Sequence, residues 1–352
     1  MIQRLLRGRL LYAILGILVL FLYIREWRQG RLLGPNPEAA APVTVRSLQT
    51  DRIEWWPSAA DRTAVEALMR TDPRLTLTLW GLALFGFGMA IGGIGLFLWG
   101  LWTGRVRAVW SWAPRRLPAW SFGEVGRLIL LALVVGGLLP FVHVAVISFH
   151  VAREVDSHLW MTSSMLGLDM LLIFAIAAFA SGKGPTTWAA LGMTTSNAWE
   201  TIRVSLRAYA AVFPWLFLLL VGMVELSRRL GWEIPLEPIH ELVFQEQRPG
   251  VLGLTVLLAC AVGPVTEELF FRGVLYAAIR RKSSRVVAML ASGALFSLVH
   301  TNAVGFLPIM LLGCLLAYLY ERTGSLLGSI AVHALHNTFL MGLALTLRPL
   351  LT

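Results

Sequence analysis

"VLGLTVLLACAVGPVTEELFFR", Val251 to Arg272, is 22 residues long, enough to cross the roughly 30 Å hydrocarbon core of a bilayer as a helix. Its first part is almost wholly apolar, yet its end holds two adjacent glutamates and an arginine. Charged side chains at the centre of a membrane helix cost about 2.5 to 3.5 kcal/mol each, so they are kept where they face one another or a wet cavity. On a helix Glu268 and Arg272 stand four apart, in the order that favours an ion pair, and Glu267 is turned about 100° away. One carboxylate is thereby neutralised and the other left over. Pro264 lacks a donor and frees the carbonyl of Cys260, while Gly263 permits close backbone approach. The helix should be irregular just before its glutamates, which is tolerated at membrane depth only beside buried protein or water.

The rest of the chain has the same character. It has 352 residues, 57% hydrophobic and 14% charged, with 14 Trp and a mean hydropathy of +0.70. That composition predicts an all-α, polytopic transmembrane helical bundle of about eight or nine spans; β-barrels show weak alternating segments instead. The apolar runs fall at Leu10 to Ile24, Leu75 to Trp102, Leu128 to Phe149, Leu159 to Ala180, Ala208 to Leu226, Val251 to Arg272, Val286 to His300, Val304 to Tyr320 and Leu326 to Leu347. The first and seventh are short for a crossing. Four regions follow: an N-terminal anchor helix within 1–35, a polar extracytoplasmic segment at 36–74, membrane helices over 75–246, and a motif-bearing membrane core at 247–347. The N-terminus has the basic start and apolar middle of a signal peptide. Its small-residue stretch "PEAAAPV" lies too far downstream for ordinary cleavage, so a retained anchor is expected. "DRTAVEALMR", from Asp61, reads as a short amphipathic helix.

The formal charge of +10 resides in arginines between the apolar runs. There they orient helices and meet anionic lipid, and no basic domain interleaved with aromatics argues for nucleic acid. With a cytoplasmic N-terminus, sixteen Lys and Arg fall in the inside connections and five outside, with eight more in the long stretch Arg25 to Arg74. The bias predicts a multi-pass protein of the cell membrane with its N-terminus inside and its C-terminus outside. Cys260 and Cys314, both in apolar runs, build no disulfide framework or CxxC site. Oligomeric state has no signature here.

Two later runs carry further polar pairs: "FSLVH" sets Phe296 and His300 four apart, and "HALHN" does so for His333 and Asn337. Three helices each present a polar pair, and such groups face each other inside a bundle. The ordered set "EELFFR", "FSLVH" and "HALHN", with the flanking "YLYERTGSLLGSIAVHALHN", resembles the CPBP intramembrane protease family. That is the CAAX-processing and bacteriocin-processing group that includes the eukaryotic Ras-converting enzyme. The resemblance covers Val251 to about Gly342 and leaves the first four spans outside it.

What the resemblance implies is an intramembrane endopeptidase acting on membrane-associated peptides or protein tails. Glu267 would be the general base on a water that His300 helps to hold. Glu268 would stay ionised against Arg272 as an orienting pair, and His333 and Asn337 would offer donors to the oxyanion. A metal alternative places zinc on Glu268, His300 and His333 with an open water position. The metal-free form is preferred, because Arg272 beside Glu268 competes with a cation. Rival readings are a proton-coupled transporter using the same intramembrane groups and a non-catalytic immunity or scaffold protein.

Other polar residues read as structural. Asp169, mid-run in "MLGLDMLL", is taken as a partner for a neighbouring helix, and His336 as lying off the site face. Phe271 and Phe296 read as packing or substrate-facing walls. Gly92, Gly93 and Gly95 read as close-packing positions, and Trp55, Trp56, Trp80, Trp99, Trp102, Trp110, Trp112 and Trp120 as interfacial belt residues. "HELVF" at His240 lacks the second histidine of a zincin motif.

Overall fold

The computed structural model describes residues 11–18, 70, 72–104, 118–148, 156–181, 183, 186–194, 197–231, 238–300 and 304–351. The expected 36–74 segment with its amphipathic helix, most of the anchor, and Trp55, Trp56, Trp110 and Trp112 lie outside these residues. Residues 11–18 are helical, and Tyr12 is buried there, with the Arg127 guanidinium 5.4 Å from its ring centre.

Among the described residues every regular element is helical. The main helices are α1 (Pro73–Trp102), α2 (Phe122–Ser148), α3 (Ser157–Ala180), α4 (Ala198–Leu230), α5 (the continuous run Pro249–Arg280), α6 (Arg285–Leu298), α7 (Phe306–Thr323) and α8 (Leu326–Leu351). Seven of them, all but α6, are long and apolar enough to cross a membrane. This is a multi-pass membrane protein. The seventh sequence run is a helix of only 14 residues, about 21 Å at 1.5 Å per residue, so it stops short of a full crossing. The fifth run begins at Ala198 rather than Ala208. Arg203 and Arg207 lengthen it because long basic side chains reach the interface from a helix that continues past the apolar layer.

Helix starts follow local chemistry. The Asp72 carboxylate accepts from the backbone N–H groups of Arg74 and Leu75 at 2.9 and 3.1 Å, with Pro73 opening α1. Asp156 caps α3 and Ser284 caps α6 in the same way. Gly324, at φ 69°, ends α7 in the left-handed conformation that glycine adopts without strain.

Packing uses small residues where helices touch. A Cβ on Gly313 would come 2.9 Å from Gly293 Cα, so α6 and α7 meet glycine against glycine. Of Gly92, Gly93 and Gly95, only Gly93 serves this purpose, lying against Ala210 and Pro214 of α4; Gly92 and Gly95 face open space. Trp80, Trp99 and Trp102 are exposed, as a lipid-facing or interfacial position requires. Trp120 corrects the belt expectation. It is only 1% exposed, with the Lys183 ammonium 4.8 Å from its ring centre, so a cation–π contact and burial hold it in the core.

The connections sort to two ends. Lys183 donates to Ala119 O (2.9 Å), Arg281 to Trp120 O (3.0 Å), and Arg285 pairs with Glu321 (3.0 Å), which joins the α1–α2, α3–α4, α5–α6 and α7–α8 connections. At the other end Arg248 pairs with Asp156 (2.7 Å), and His158 with Glu246 (2.9 Å), joining the α2–α3 and α4–α5 connections.

Candidate active site

The irregularity that Pro264 calls for is present. Within α5, π-helical turns at Leu258–Val262 and Leu269–Tyr276 flank a six-residue α segment, Gly263–Glu268. Such turns leave carbonyls without regular partners and recur at functional positions. A Cβ at Gly263 would stand 2.9 Å from Leu258 O, so the tightened backbone demands glycine there.

Glu268 and Arg272 form the expected pair: Arg272 Nη1 donates to Glu268 Oε1 at 2.7 Å, and both side chains are fully buried. Arg272 Nη2 also donates to Gly313 O (3.1 Å), and its guanidinium lies 4.4 Å from the Phe296 ring centre. The same Oε1 accepts from His333 Nδ1 at 2.9 Å, which fixes the tautomer and aims Nε2 away from Glu268. His333 is 2% exposed, and its Nε2 faces Glu267 Oε2 across 3.7 Å, too far for a hydrogen bond.

A cavity of about 470 Å³ gathers the predicted residues: Glu267, His300, His333 and Asn337 all line it. His300, just past the end of α6, donates from Nδ1 to Phe296 O at 2.8 Å, leaving Nε2 free to accept. Asn337 Nδ2 donates to Ala259 O (2.9 Å), inside the first π-turn, and keeps a second N–H on the same nitrogen. Asn337 thus bridges helices and faces the cavity at once. Glu267 Oε2 is buried with no hydrogen-bond partner among the described residues. Phe296 forms part of the wall, whereas Phe271 packs edge-on behind it.

Of the zinc set Glu268, His300 and His333, the two histidines line this cavity and Glu268 does not. Its Oε1 is occupied by Arg272 and His333, and the His333 nitrogen nearest it is the one donating to it. Among the described residues no group of three or more His, Cys, Asp or Glu is arranged to hold a metal ion.

Two structural expectations are overturned. His336 lines the cavity instead of turning away, and its Nδ1 shares a 2.9 Å hydrogen bond with Tyr209 Oη on α4. One turn of α8 is wide enough for three side chains to border a cavity that several helices enclose. Asp169 on α3 also lines it, together with Glu267. The available signal was its charge in the middle of an apolar run; what the sequence lacked was the rotation of α3 about its axis. The ion pairs joining Asp156, His158, Glu246 and Arg248 stand apart from these residues.

Comparison with known proteins finds relatives of the α5–α8 region. Residues 249–339 match the family model for Rce1-like, type II CAAX prenyl endopeptidases. A stretch of 88 residues, 25% of the chain, is 32% identical to "Putative membrane peptidase YdiL" of Bacillus subtilis (strain 168), covering 36% of that protein. Another of 77 residues is 35% identical to UPF0177 protein YxdF of Lactococcus lactis subsp. lactis (strain IL1403), covering 42% of it. The chain therefore spans well under half the length of these curated relatives. No solved structure matches it. The α5–α8 region, with its three motifs, is thus similar to the Rce1-like CAAX prenyl endopeptidases.

Proposed function

We propose that this protein is an intramembrane endopeptidase that hydrolyses membrane-associated peptides or protein tails through a water activated by Glu267 and His300. The observation that carries the reading is convergence: four side chains from three separate helical segments border one cavity inside an apolar bundle. Glu267, whose Oε2 has no protein partner, takes the proton as water attacks the scissile carbonyl, with His300 Nε2 accepting the water's other hydrogen bond. The new C–O bond puts negative charge on the carbonyl oxygen. Asn337, through its second N–H, and protonated His333, through Nε2, donate to that oxyanion. Glu267 then returns the proton to the leaving amine as the C–N bond breaks.

Glu268 and Arg272 act behind His333. Glu268 accepts from Nδ1–H and so holds the imidazole with Nε2 toward the cavity, and Arg272 donates to the same Glu268 oxygen. Water addition on this scheme needs no metal ion. The preferred orientation places the N-terminus in the cytoplasm. The substrate side chain set and the presence or absence of a prenyl group follow from the substrate itself, not from the four residues named.

The test is comparative proteomics on cells carrying wild type or Glu267→Gln, with a parallel arm in which purified wild type is treated with chelator. New protein termini dependent on Glu267 and insensitive to chelation are expected. Identical termini in both strains would refute the peptidase; proton flux without cleavage would favour a transporter. Chelator loss restored by zinc would overturn the metal-free scheme.

A further inference from the structure

Asp169 is an ionisable side chain in the cavity that the hydrolytic scheme does not use. It projects from α3, outside the segment that matches the family model, and with Met165 and Leu168 forms that helix's share of the wall. Those two neighbours are apolar, so Asp169 is the one polar group on its side. Among the described residues it has no hydrogen bond and no salt-bridge partner, and it shares the cavity with Glu267. Outside the cavity, the carboxylates of the bundle's polar networks are paired: Glu268 with Arg272, Glu321 with Arg285, Glu246 with Arg248.

Two carboxylates, Asp169 and Glu267, line the cavity together with three histidines, and among the described residues no Lys or Arg does. His333, 2% exposed, turns its Nε2 to the same cavity, 3.7 Å from Glu267 Oε2. A carboxylate in an apolar surrounding without a cation is costly to keep, and a cationic guest offsets that cost. The scissile carbonyl has to lie between Glu267 with His300 and His333 with Asn337. Asp169, on a different wall, is then placed to meet a neighbouring side chain of the bound peptide.

We propose that Asp169 is a specificity residue that receives a basic side chain, Lys or Arg, of the substrate close to the scissile bond. This rests on the peptidase reading and names a substrate class for it. Complementary charge at a buried position contributes discrimination mainly by penalising the mismatched partner, so acidic residues at that position are rejected.

The experiment uses the full-length protein purified in detergent and a set of synthetic peptides of one length. In these, a single position is scanned with Lys, Arg, norleucine or Glu, and cleavage products are read by mass spectrometry. Wild type should favour Lys and Arg over norleucine by about tenfold or more at one fixed distance from the cut. D169N should bring that ratio close to one, whatever its absolute rate, and D169E should keep it. A ratio that survives in D169N, or a wild type indifferent to charge, overturns the assignment. So does an equal loss across all peptides that D169E fails to restore, because that marks a scaffold residue. Cleavage that E267Q does not abolish, or no cleavage of any peptide, sinks the peptidase reading itself, and the two failures are thereby told apart.

Discussion

Adjacent in sequence, Glu267 and Glu268 have opposite structural situations. Glu267 is about one-third exposed to the cavity and lacks a hydrogen-bond partner at Oε2, so removing its charge leaves packing intact. Glu267→Gln should lower cleavage by about 10²-fold or more, the range for loss of a general base, with an unchanged melting transition in detergent. Glu268 is fully buried between Arg272 and His333. Either Arg272→Met or Glu268→Gln leaves a buried group unpaired and should cost about 3–5 kcal/mol of stability, read by thermal unfolding. The double variant should recover part of that loss, because no orphaned charge remains. This division was legible in the sequence because it depends on a spacing of four within one helix. Asp169 and His336 were misread for the opposite reason. Which way α3 faces, and how wide an arc of α8 borders the cavity, are set by neighbours distant in the chain.

Single elements place these side chains through their interruptions and contacts. The π-turn that follows from Pro264 and Gly263 exposes Ala259 O to Asn337, so an irregularity readable from two residues explains a contact between α5 and α8 that no local pattern announced. The end of α6 is held in place by its glycine contact with α7. A Cβ at Gly293 would come 2.7 Å from Cys314 Sγ and 2.9 Å from Met310 O. Gly293→Val should therefore push α6 outward and carry His300 with it, costing about 1–3 kcal/mol and lowering activity together. The link between α3 and the start of α5 depends on pH instead. Hydrogen bonding from Arg248 is the first cause that holds both Asp156 and Glu246 below the usual carboxylate range. With folded values depressed, this stability is present above the unfolded carboxylate pKa of about 4 and is lost as pH falls below it. Melting measured across pH should decline on the acid side, and Arg248→Met should flatten that decline.

At the scale of the whole molecule, the alternation of connections was the part of the topology best encoded, since basic residues are distributed by side of the membrane. The α1–α2, α3–α4, α5–α6 and α7–α8 connections, assigned to one side by charge alone, are tied together through Lys183, Arg281 and Arg285. Those assigned to the other side meet through Arg248 and His158. Helix count was less legible, because α6 is apolar like its neighbours yet too short to cross. Its shortness has a consequence for the site: His300 follows directly on a helix of about 21 Å, less than the thickness of the apolar layer, and lines the cavity. Absolute orientation rests on the excess of arginine, and it makes a direct prediction. A cysteine placed at Ser283 should react with a membrane-impermeant thiol reagent only after cells are opened, whereas one at Arg248 should react in intact cells. Reactivity with the two sites exchanged would invert the bundle and place the basic end, with its Arg280, Arg281, Lys282 and Arg285, on the outer face.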